Sequence, residues 1–297
     1  MTVLLPRKVR YAGYSRNKGR QPYGVLLWCF TFVPLLSLGQ SATGRRTVRV
    51  DVGSDAEFRT IQQALVGAPK SGLDILIAPG FYREKVAITQ ANIALIGTGR
   101  QPGDTVIAWG DSAKNTGSTF KSATVTITMD GFQAENLSIG NTWWDEHSSP
   151  DEASQAVALQ LNSDKAVVDR VRLISGQNTL YAASLNCRSD TTGTPYDASR
   201  QLFNGCFVEG NVDYIFGDAK AVFNNCELHA RQHPTVMITA QSIHFPEEDS
   251  GFFMLHCRIT GADDGSRGYA RAPLACLCHS DVLRYRYASK NLFRWMV

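Results

Sequence analysis

Three short segments place polar side chains within apolar, strand-like sequence. They read SQAVALQL (154–161), SGQNTLYA (175–182) and GNVDYIFGDA (210–219). Asp213 lies between Val212 and Tyr214, and a carboxylate in such surroundings costs free energy unless it has a partner. A carboxylate can act as a nucleophile, and amides can donate hydrogen bonds to developing negative charge. The residues alone leave open the alternative of a turn or cap aspartate beside Gly210 and Asn211.

From Arg45 onward the sequence predicts one short helix and then a succession of strands. The segment TIQQALVGAP (60–69) has Thr60 as a candidate N-cap, Gln63 at the capping-box position and Pro69 as a stop signal. The rest consists of short apolar alternations separated by glycine, asparagine and aspartate. Such a pattern indicates strands and turns.

An apolar-x-apolar core recurs in five of these strands, with first members 34, 35, 20 and 31 residues apart. The five pairs are Leu137/Ile139, Val171/Leu173, Cys206/Val208, Cys226/Leu228 and Cys257/Ile259. Repeats of irregular length with matching inward residues favour an all-β, right-handed parallel β-helix in which each coil stacks on the last. The initial helix would then cap one end. A β-sandwich is the alternative that the periodicity leaves open.

Four motifs follow one another along residues 47–265. VDVGSDAEFRTIQQAL opens the region, and GFYRE (80–84), QAVAL (155–159) and GNVDYIFG (210–217) come after it. Together they resemble the pectinesterase (pectin methylesterase) family. The opening motif resembles the start of the family's catalytic domain, GFYRE resembles its Gly-x-Tyr-x-Glu motif, and GNVDYIFG resembles its nucleophile segment. QAVAL matches a family motif outright. The resemblance implies a right-handed parallel β-helix that hydrolyses methyl esters of polygalacturonate, the polymer of pectin.

The resemblance also implies a role for each polar group. Asp213 attacks the ester carbonyl, Gln155 and Gln177 donate hydrogen bonds to the oxyanion, and water then cleaves the acyl-enzyme. No metal or organic cofactor is implied. If the segments lie on consecutive coils, matching side chains are about 5 Å apart and can share one ester group. The candidates for packing against sugar rings are Tyr82, Trp143, Trp144, Tyr181 and Tyr214.

Two departures from the family pattern predict impaired catalysis. The family's Gln-Asp-Thr-Leu motif supplies an aspartate as the general acid, whereas this chain has Asn178. An amide donates a hydrogen bond but cannot deliver a proton, and a positioned acid–base group is typically worth about 10²–10⁴-fold. The family's late Leu-Gly-Arg-Pro-Trp motif, whose arginine pairs with the nucleophile, is absent from the sequence.

The segment YARAPLACLCHS (269–280) shows neither strand alternation nor turn signals. The genetic code allows codons for residues 269–274, followed by the start of the next codon, that can also be read in a frame shifted by one base. In that shifted frame they can spell Thr-Leu-Gly-Arg-Pro-Trp. We therefore interpret residues 270–297 as an aberrant, frameshifted tail after a catalytic domain at 45–269. The nucleotide sequence tests this interpretation, because codons that cannot encode the motif in the shifted frame would exclude it.

Residues 1–42 have the layout of a secretory signal peptide. A basic segment precedes the apolar stretch GVLLWCFTFVPLLSL (24–38), and small residues follow it. The stretch is short for a bilayer span and is interrupted by Pro34. A buried helix of the mature fold is the alternative. We expect a secreted protein, extracellular or periplasmic, without a stable membrane span.

The formal net charge of +3 conceals an acidic body. The first 44 residues hold six basic residues and no acid, so the remainder carries a net charge of −3. This distribution argues against nucleic-acid binding, which depends on a basic face. We expect a monomer that binds methyl-esterified polygalacturonate.

The chain contains seven cysteines. One interpretation is a disulfide between Cys187 and Cys206 around a polar loop. The other is that Cys206, Cys226 and Cys257 are small buried hydrophobic residues. The spacings lack the paired close ligands of a zinc site.

The predicted function is therefore de-esterification of pectin, with two alternatives. A non-catalytic carbohydrate-binding relative is favoured by Asn178 and by the missing arginine. A calcium-dependent polysaccharide lyase would require clustered acidic calcium ligands and basic catalytic residues, and the sequence shows none near Asp213.

Overall fold

The computed structural model describes residues 45–53, 56–147, 152–185, 198–244 and 248–261, and the backbone of residues 269–270 and 286–287. The predicted signal peptide and most of the predicted aberrant tail lie outside these residues. The helical elements are single turns: α1 (Ile61–Ala64), α2 (Ala113–Thr116), α3 (Trp143–Glu146) and the 3₁₀ turns Pro102–Asp104 and Phe120–Ser122. No helix in the described segments is both long and apolar enough to cross a bilayer.

The strands form three parallel sheets, termed A, B and C. Sheet A contains β1 (Arg46–Val50), β2 (Leu73–Ile77), β5 (Ile93–Gly97), β8 (Gln133–Glu135), β11 (Ala166–Asp169), β14 (Arg200–Asn204), β17 (Lys220–Asn224) and β21 (Gly251–Leu255). Sheet B contains β3 (Gly80–Arg83), β6 (Thr105–Trp109), β9 (Ser138–Asn141), β12 (Arg172–Ile174), β15 (Phe207–Gly210), β18 (Glu227–Ala230), β22 (Arg258–Gly261) and β24 (Arg286–Tyr287). Sheet C contains β4 (Val86–Ile88), β7 (Val125–Ile127), β10 (Leu159–Asn162), β13 (Leu180–Ala183), β16 (Ile215–Gly217) and β20 (Thr239–Gln241). A separate short pair joins β19 (Thr235–Val236) and β23 (Tyr269–Ala270).

Successive coils contribute one strand to each sheet in turn, which defines a β-solenoid. The predicted right-handed parallel β-helix is thus confirmed, and the sandwich is excluded because every strand pairing in the described residues is parallel.

The repeated apolar pairs form a continuous row in the core. Ile139 lies beside Leu173, which lies beside Val208. Val208 in turn lies beside Leu228, and Leu228 beside Ile259. The first four are completely buried. The sequence repeat therefore marks one position on five consecutive coils, as predicted.

One left-handed residue turns the chain from sheet A to sheet B in each of these coils. The five corner residues are Asn136, Arg170, Gly205, Asn225 and His256, with φ between 50° and 59°. The next residue in each coil is buried. Because side chains alternate along a strand, this corner determines which residues of the following strand face the core.

The predicted helix at 60–69 is a single turn. Thr60 Oγ1 accepts a hydrogen bond from Gln63 N (3.2 Å), as expected of an N-cap. The carboxylate of Glu84 accepts from Ile61 N (2.9 Å) and Gln62 N (3.1 Å), so a second chain segment also satisfies this terminus. That the turn caps one end of the solenoid stays a prediction.

Cys206, Cys226 and Cys257 are free, buried thiols on successive coils. Each thiol donates to a carbonyl of the preceding coil: Cys206 to Val168, Cys226 to Phe203 and Cys257 to Phe223. The structure therefore agrees with the interpretation as buried hydrophobic residues, and Cys187 lies outside the described residues.

The backbone of β24 pairs with β22 as a further strand of sheet B. This strand falls within the predicted aberrant tail (270–297). The remainder of residues 271–297 is outside the described part of the chain.

Candidate active site

The three polar segments lie on consecutive coils, and their polar residues come shortly before strands of sheet C. Gln155 precedes β10, Gln177 and Asn178 precede β13, and Asp213 precedes β16. Ala156 N donates to Gln177 O (3.0 Å) and Asn178 N donates to Val212 O (3.0 Å). The backbone thus brings together the four residues predicted to act on the ester. We call them the catalytic row.

Asn178 and Asp213 occupy equivalent positions on neighbouring coils. The bonds from Asn178 N to Val212 O and from Leu180 N to Tyr214 O place the two residues side by side. Both have a left-handed backbone, with φ of 63° and 49°. Asparagine and aspartate tolerate this conformation better than most residues do. Adjacent strands are about 5 Å apart, so the amide of Asn178 is a close neighbour of the Asp213 carboxylate.

The Asp213 carboxylate is partly buried and has no cation beside it among the residues that the structure describes. Burial raises its pKa above the ordinary value. Within the residues that the structure describes, it makes no hydrogen bond or ion pair, and no nearby charge offsets the desolvation. This is the electrostatic environment expected when the late arginine motif is missing.

The raised pKa predicts the acid side of the pH profile. A nucleophilic carboxylate must be deprotonated, so activity declines as the pH falls through its pKa. We expect kcat/KM for methanol release to decline at a higher pH than the ordinary aspartate pKa of about 3.9. Assays between about pH 3 and pH 7 measure this, and a decline centred at or below about 3.9 would contradict the assignment.

Gln155 and Gln177 combine a fixed backbone with available side chains. Gln155 O accepts from Ala113 N (2.8 Å), and Ser154 Oγ accepts from Lys114 N (3.1 Å), which attaches α2 to this segment. Both glutamine side chains are half-buried and form no hydrogen bond to another described residue. Their amide groups can therefore donate to a bound oxyanion.

Two of the five predicted sugar contacts are wrong. Tyr82 is 2% exposed, and its hydroxyl donates to Ala78 O (2.9 Å). Burial also raises the pKa of Tyr82 to about 12. Tyr214 is completely buried beneath Asp213. Because side chains alternate along the chain, Tyr214, which follows the outward Asp213, points into the core. Neither Tyr82 nor Tyr214 therefore presents a ring face to a polymer.

The neighbouring tryptophans of α3 differ in position. Trp143 is 8% exposed, its ring stacks on His147, and its Nε1 donates to Glu152 O (3.1 Å). It contributes packing and little exposed ring surface. Trp144 is half-buried and donates from Nε1 to Ser154 O (2.9 Å).

The indole of Trp144 lies against Gly176, the residue before Gln177. A Cβ on Gly176 would be 2.3 Å from Cδ2 of this ring. Arg231 holds the helix in place through an ion pair with Asp145 (2.7 Å) and a hydrogen bond to Ser175 O (3.3 Å). Trp144 therefore remains a predicted sugar contact at one end of the catalytic row.

Gly176→Ala is expected to displace Trp144 and to lower kcat/KM for pectin about 10- to 100-fold, since small misplacements of positioning groups have effects of this size. Methanol release and tryptophan fluorescence measure the two effects. Gly103→Ala is the control, because a Cβ there meets nothing within 4 Å. Unchanged kinetics in a folded Gly176→Ala protein would show that Trp144 has no role in the reaction.

Tyr181 belongs to an aromatic cluster on the outer face of sheet C. It is 9% exposed, and its ring centroid lies 4.9 Å from that of Phe120 and 4.7 Å from that of Phe216. Sequence reasoning missed both phenylalanines. The alternation of β16 was an available signal for Phe216, because Ile215 faces the core. The cluster forms an apolar surface on the sheet that carries the catalytic row.

Fold and site together define a parallel β-helix protein with a carboxylate–amide row at one sheet. The chain belongs to the pectinesterase family: the family model described as Pectinesterase matches residues 47–273. It is 35% identical over 228 residues to the Arabidopsis thaliana pectinesterase QRT1, covering 73% of this chain and 56% of that protein. The chain thus spans little more than half the length of this relative.

Solved structures show the same fold. A pectin methylesterase from carrot superposes with a TM-score of 0.61 at 29% identity, covering 76% of this chain and 66% of that one. A pectin methylesterase in complex with a hexasaccharide superposes with a TM-score of 0.62 at 31% identity, covering 73% and 66% of the two chains.

Proposed function

We propose that this chain is a carboxylic ester hydrolase that removes methyl esters from pectin in cell-wall modification or breakdown. The observation that carries the proposal is the catalytic row, in which Asp213, Asn178, Gln177 and Gln155 come together on consecutive coils. Family membership and the similarity to pectin methylesterases, one of them in complex with a hexasaccharide, support it.

The proposed reaction has two stages. Asp213 attacks the ester carbonyl carbon, and Gln155 and Gln177 donate hydrogen bonds to the resulting oxyanion. Collapse of this intermediate breaks the bond to the methoxy group, which takes up a proton and leaves as methanol. Water then attacks the acyl-enzyme, releasing the polymer carboxylate and restoring Asp213.

Asn178 limits the first stage. It can orient the ester group or hydrogen-bond to the leaving oxygen, but it cannot protonate departing methanol. We therefore propose that the proton comes from water and that turnover is low. A titratable side chain would remove this limitation only if the neighbouring nucleophile stayed ionised.

Asn178→Asp is expected to raise turnover by less than about 10-fold, well short of the 10²–10⁴-fold typical of a positioned acid. The reason is that a second carboxylate beside Asp213, which has no cation among its described neighbours, further disfavours the ionised nucleophile. Methanol release as a function of pH measures the gain, with Asn178→Ala as the control. A gain of about 10²-fold or more would show that Asp213 needs no arginine.

Methanol release from highly methyl-esterified polygalacturonate tests the proposed function. Release that depends on Asp213 supports it. Retention of the polymer without methanol would instead indicate a carbohydrate-binding relative, which the loss of the acid at Asn178 would explain. An unsaturated, ultraviolet-absorbing product that requires calcium would indicate a lyase.

We further propose that the protein is exported and acts as a monomer. The basic and apolar layout of residues 1–42 supports export. Expression of the full chain with sequencing of the mature N-terminus tests export, and light scattering of the product tests the monomer. A mature protein that retains residues 24–38 would contradict signal cleavage.

A further inference from the structure

Three potential metal ligands meet at the carboxyl ends of β16 and β20. Asp218 directly follows β16, and His244 and Glu248 come after β20. His244 Nδ1 lies 3.8 Å from Asp218 Oδ2 and 3.5 Å from Glu248 Oε2. One ligand atom from each residue lies within 4.8 Å of the others. We call these three residues the edge cluster.

The edge cluster buries two carboxylates together. The side chains of Asp218 and Glu248 are 0% exposed, while that of His244 is 34% exposed. Glu248 Oε2 accepts from His244 N (2.7 Å), but Glu248 Oε1 is buried without a hydrogen-bond partner. A buried carboxylate oxygen of this kind is unfavourable unless a cation or a donor reaches it.

Asp218 is already oriented for such a role. Its Oδ1 accepts from Ser184 N (2.7 Å) on the preceding coil, and its Oδ2 lies 3.8 Å from His244 Nδ1. Hydrogen bonds that hold one oxygen of a ligating carboxylate are a usual feature of metal sites.

We propose that Asp218, His244 and Glu248 bind a divalent transition-metal ion of the zinc class. One imidazole nitrogen and two carboxylate oxygens match the preference of zinc, whereas calcium and magnesium favour ligand sets made of oxygen alone. The ion satisfies Glu248 Oε1, the buried oxygen without a hydrogen-bond partner. The exposed side of His244 leaves room for a water ligand.

The edge cluster is separate from the catalytic row. Asp213 precedes β16 and Asp218 follows it, so five residues of extended chain separate them by at most about 17 Å. The ion would attach His244 and Glu248 to the end of β16 through Asp218 and would stabilise the fold. Zinc binding at the edge cluster would therefore not require the proposed esterase activity.

Zinc titration of the full chain, stripped of metal with a chelator, tests the site. We expect calorimetry to show binding of one equivalent of zinc and thermal unfolding to shift upward, with no shift from calcium at the same concentration. His244→Gln and Glu248→Gln are expected to weaken zinc binding at least about 10-fold. His256→Gln and Asp249→Asn, which alter an exposed histidine and the exposed neighbour of Glu248, should bind zinc like the parent chain.

Stability without metal distinguishes a lost ligand from a damaged fold. Glu248→Gln removes a buried charge but keeps its shape, so the metal-free variant should unfold at the same temperature as the parent chain or higher, yet gain nothing from zinc. Absence of zinc binding by the parent chain at about 1 mM would overturn the proposal. Unchanged zinc binding in both ligand variants would also overturn it, because the ion would then lie elsewhere, for example at the cysteines.

Discussion

Replacing Asp213 with asparagine is expected to reduce methanol release from esterified pectin by at least about 10³-fold, because the covalent route requires a carboxylate nucleophile. The substitution should leave the backbone intact, since asparagine adopts the left-handed conformation at φ 49° as readily as aspartate. The measurement is the initial rate of methanol release at saturating substrate. A rate equal to that of the parent chain would show that another group attacks the ester.

The resistance of Asp213→Asn to denaturant, compared with that of the parent chain, supplies the control for this variant. Burial raises the pKa of Asp213 in the folded chain above its value in the unfolded chain, so the ionised carboxylate destabilises the fold at neutral pH. Asp213→Asn should therefore be more resistant to denaturant than the parent chain near pH 7. The difference should vanish below about pH 3.9, where the carboxyl is protonated in both states. The matched control is Asp249→Asn, at an 81% exposed side chain, which should alter neither activity nor this pH dependence.

Gln155→Ala is expected to lower kcat by about 10²–10³-fold with little change in KM, because an oxyanion donor acts mainly in the transition state. Gln155 is suited to this role because its backbone is anchored to α2 through Ala113 while its side chain has no partner among the described residues. Steady-state methanol release over a range of pectin concentrations separates the two constants.

Gln160→Ala is the matched control, since Gln160 lies in β10 on the same sheet and its amide donates to Asn162 Oδ1 (3.0 Å). It should retain the parent kcat. An increase in KM alone for Gln155→Ala would make Gln155 a sugar contact and would leave the oxyanion without this donor.

The amino-acid sequence by itself determined the solenoid fold and which chain segments lie on neighbouring coils. The apolar pairs from Leu137/Ile139 to Cys257/Ile259 recur once per coil, and the structure stacks their second members in one row. The same repetition places the segments that contain Gln155, Gln177 and Asp213 on consecutive coils. This prediction is possible because a parallel solenoid pairs each coil mainly with the one before and the one after it, so order in sequence becomes order in space.

Tertiary structure decided which side chains of those segments reach the surface. Tyr82 and Tyr214 resemble sugar contacts in sequence but lie in the core, whereas Phe216 lies on the outer face. In strands that are apolar on both faces, the sequence does not reveal which alternate residues face inward. Burial in the folded chain settles it, and a shift of one residue would reverse every side chain of the strand.

Charge environments were likewise decided by the fold. The sequence showed that an arginine motif is missing, but only the packing shows that the Asp213 carboxylate is desolvated with no cation in the described surroundings. The edge cluster was also beyond sequence reasoning, since Asp218 lies 26 residues before His244 and 30 before Glu248. These side chains meet because β16 and β20 end side by side on neighbouring coils. Burial, which depends on every surrounding chain segment, then determines the free-energy cost of a charged group there.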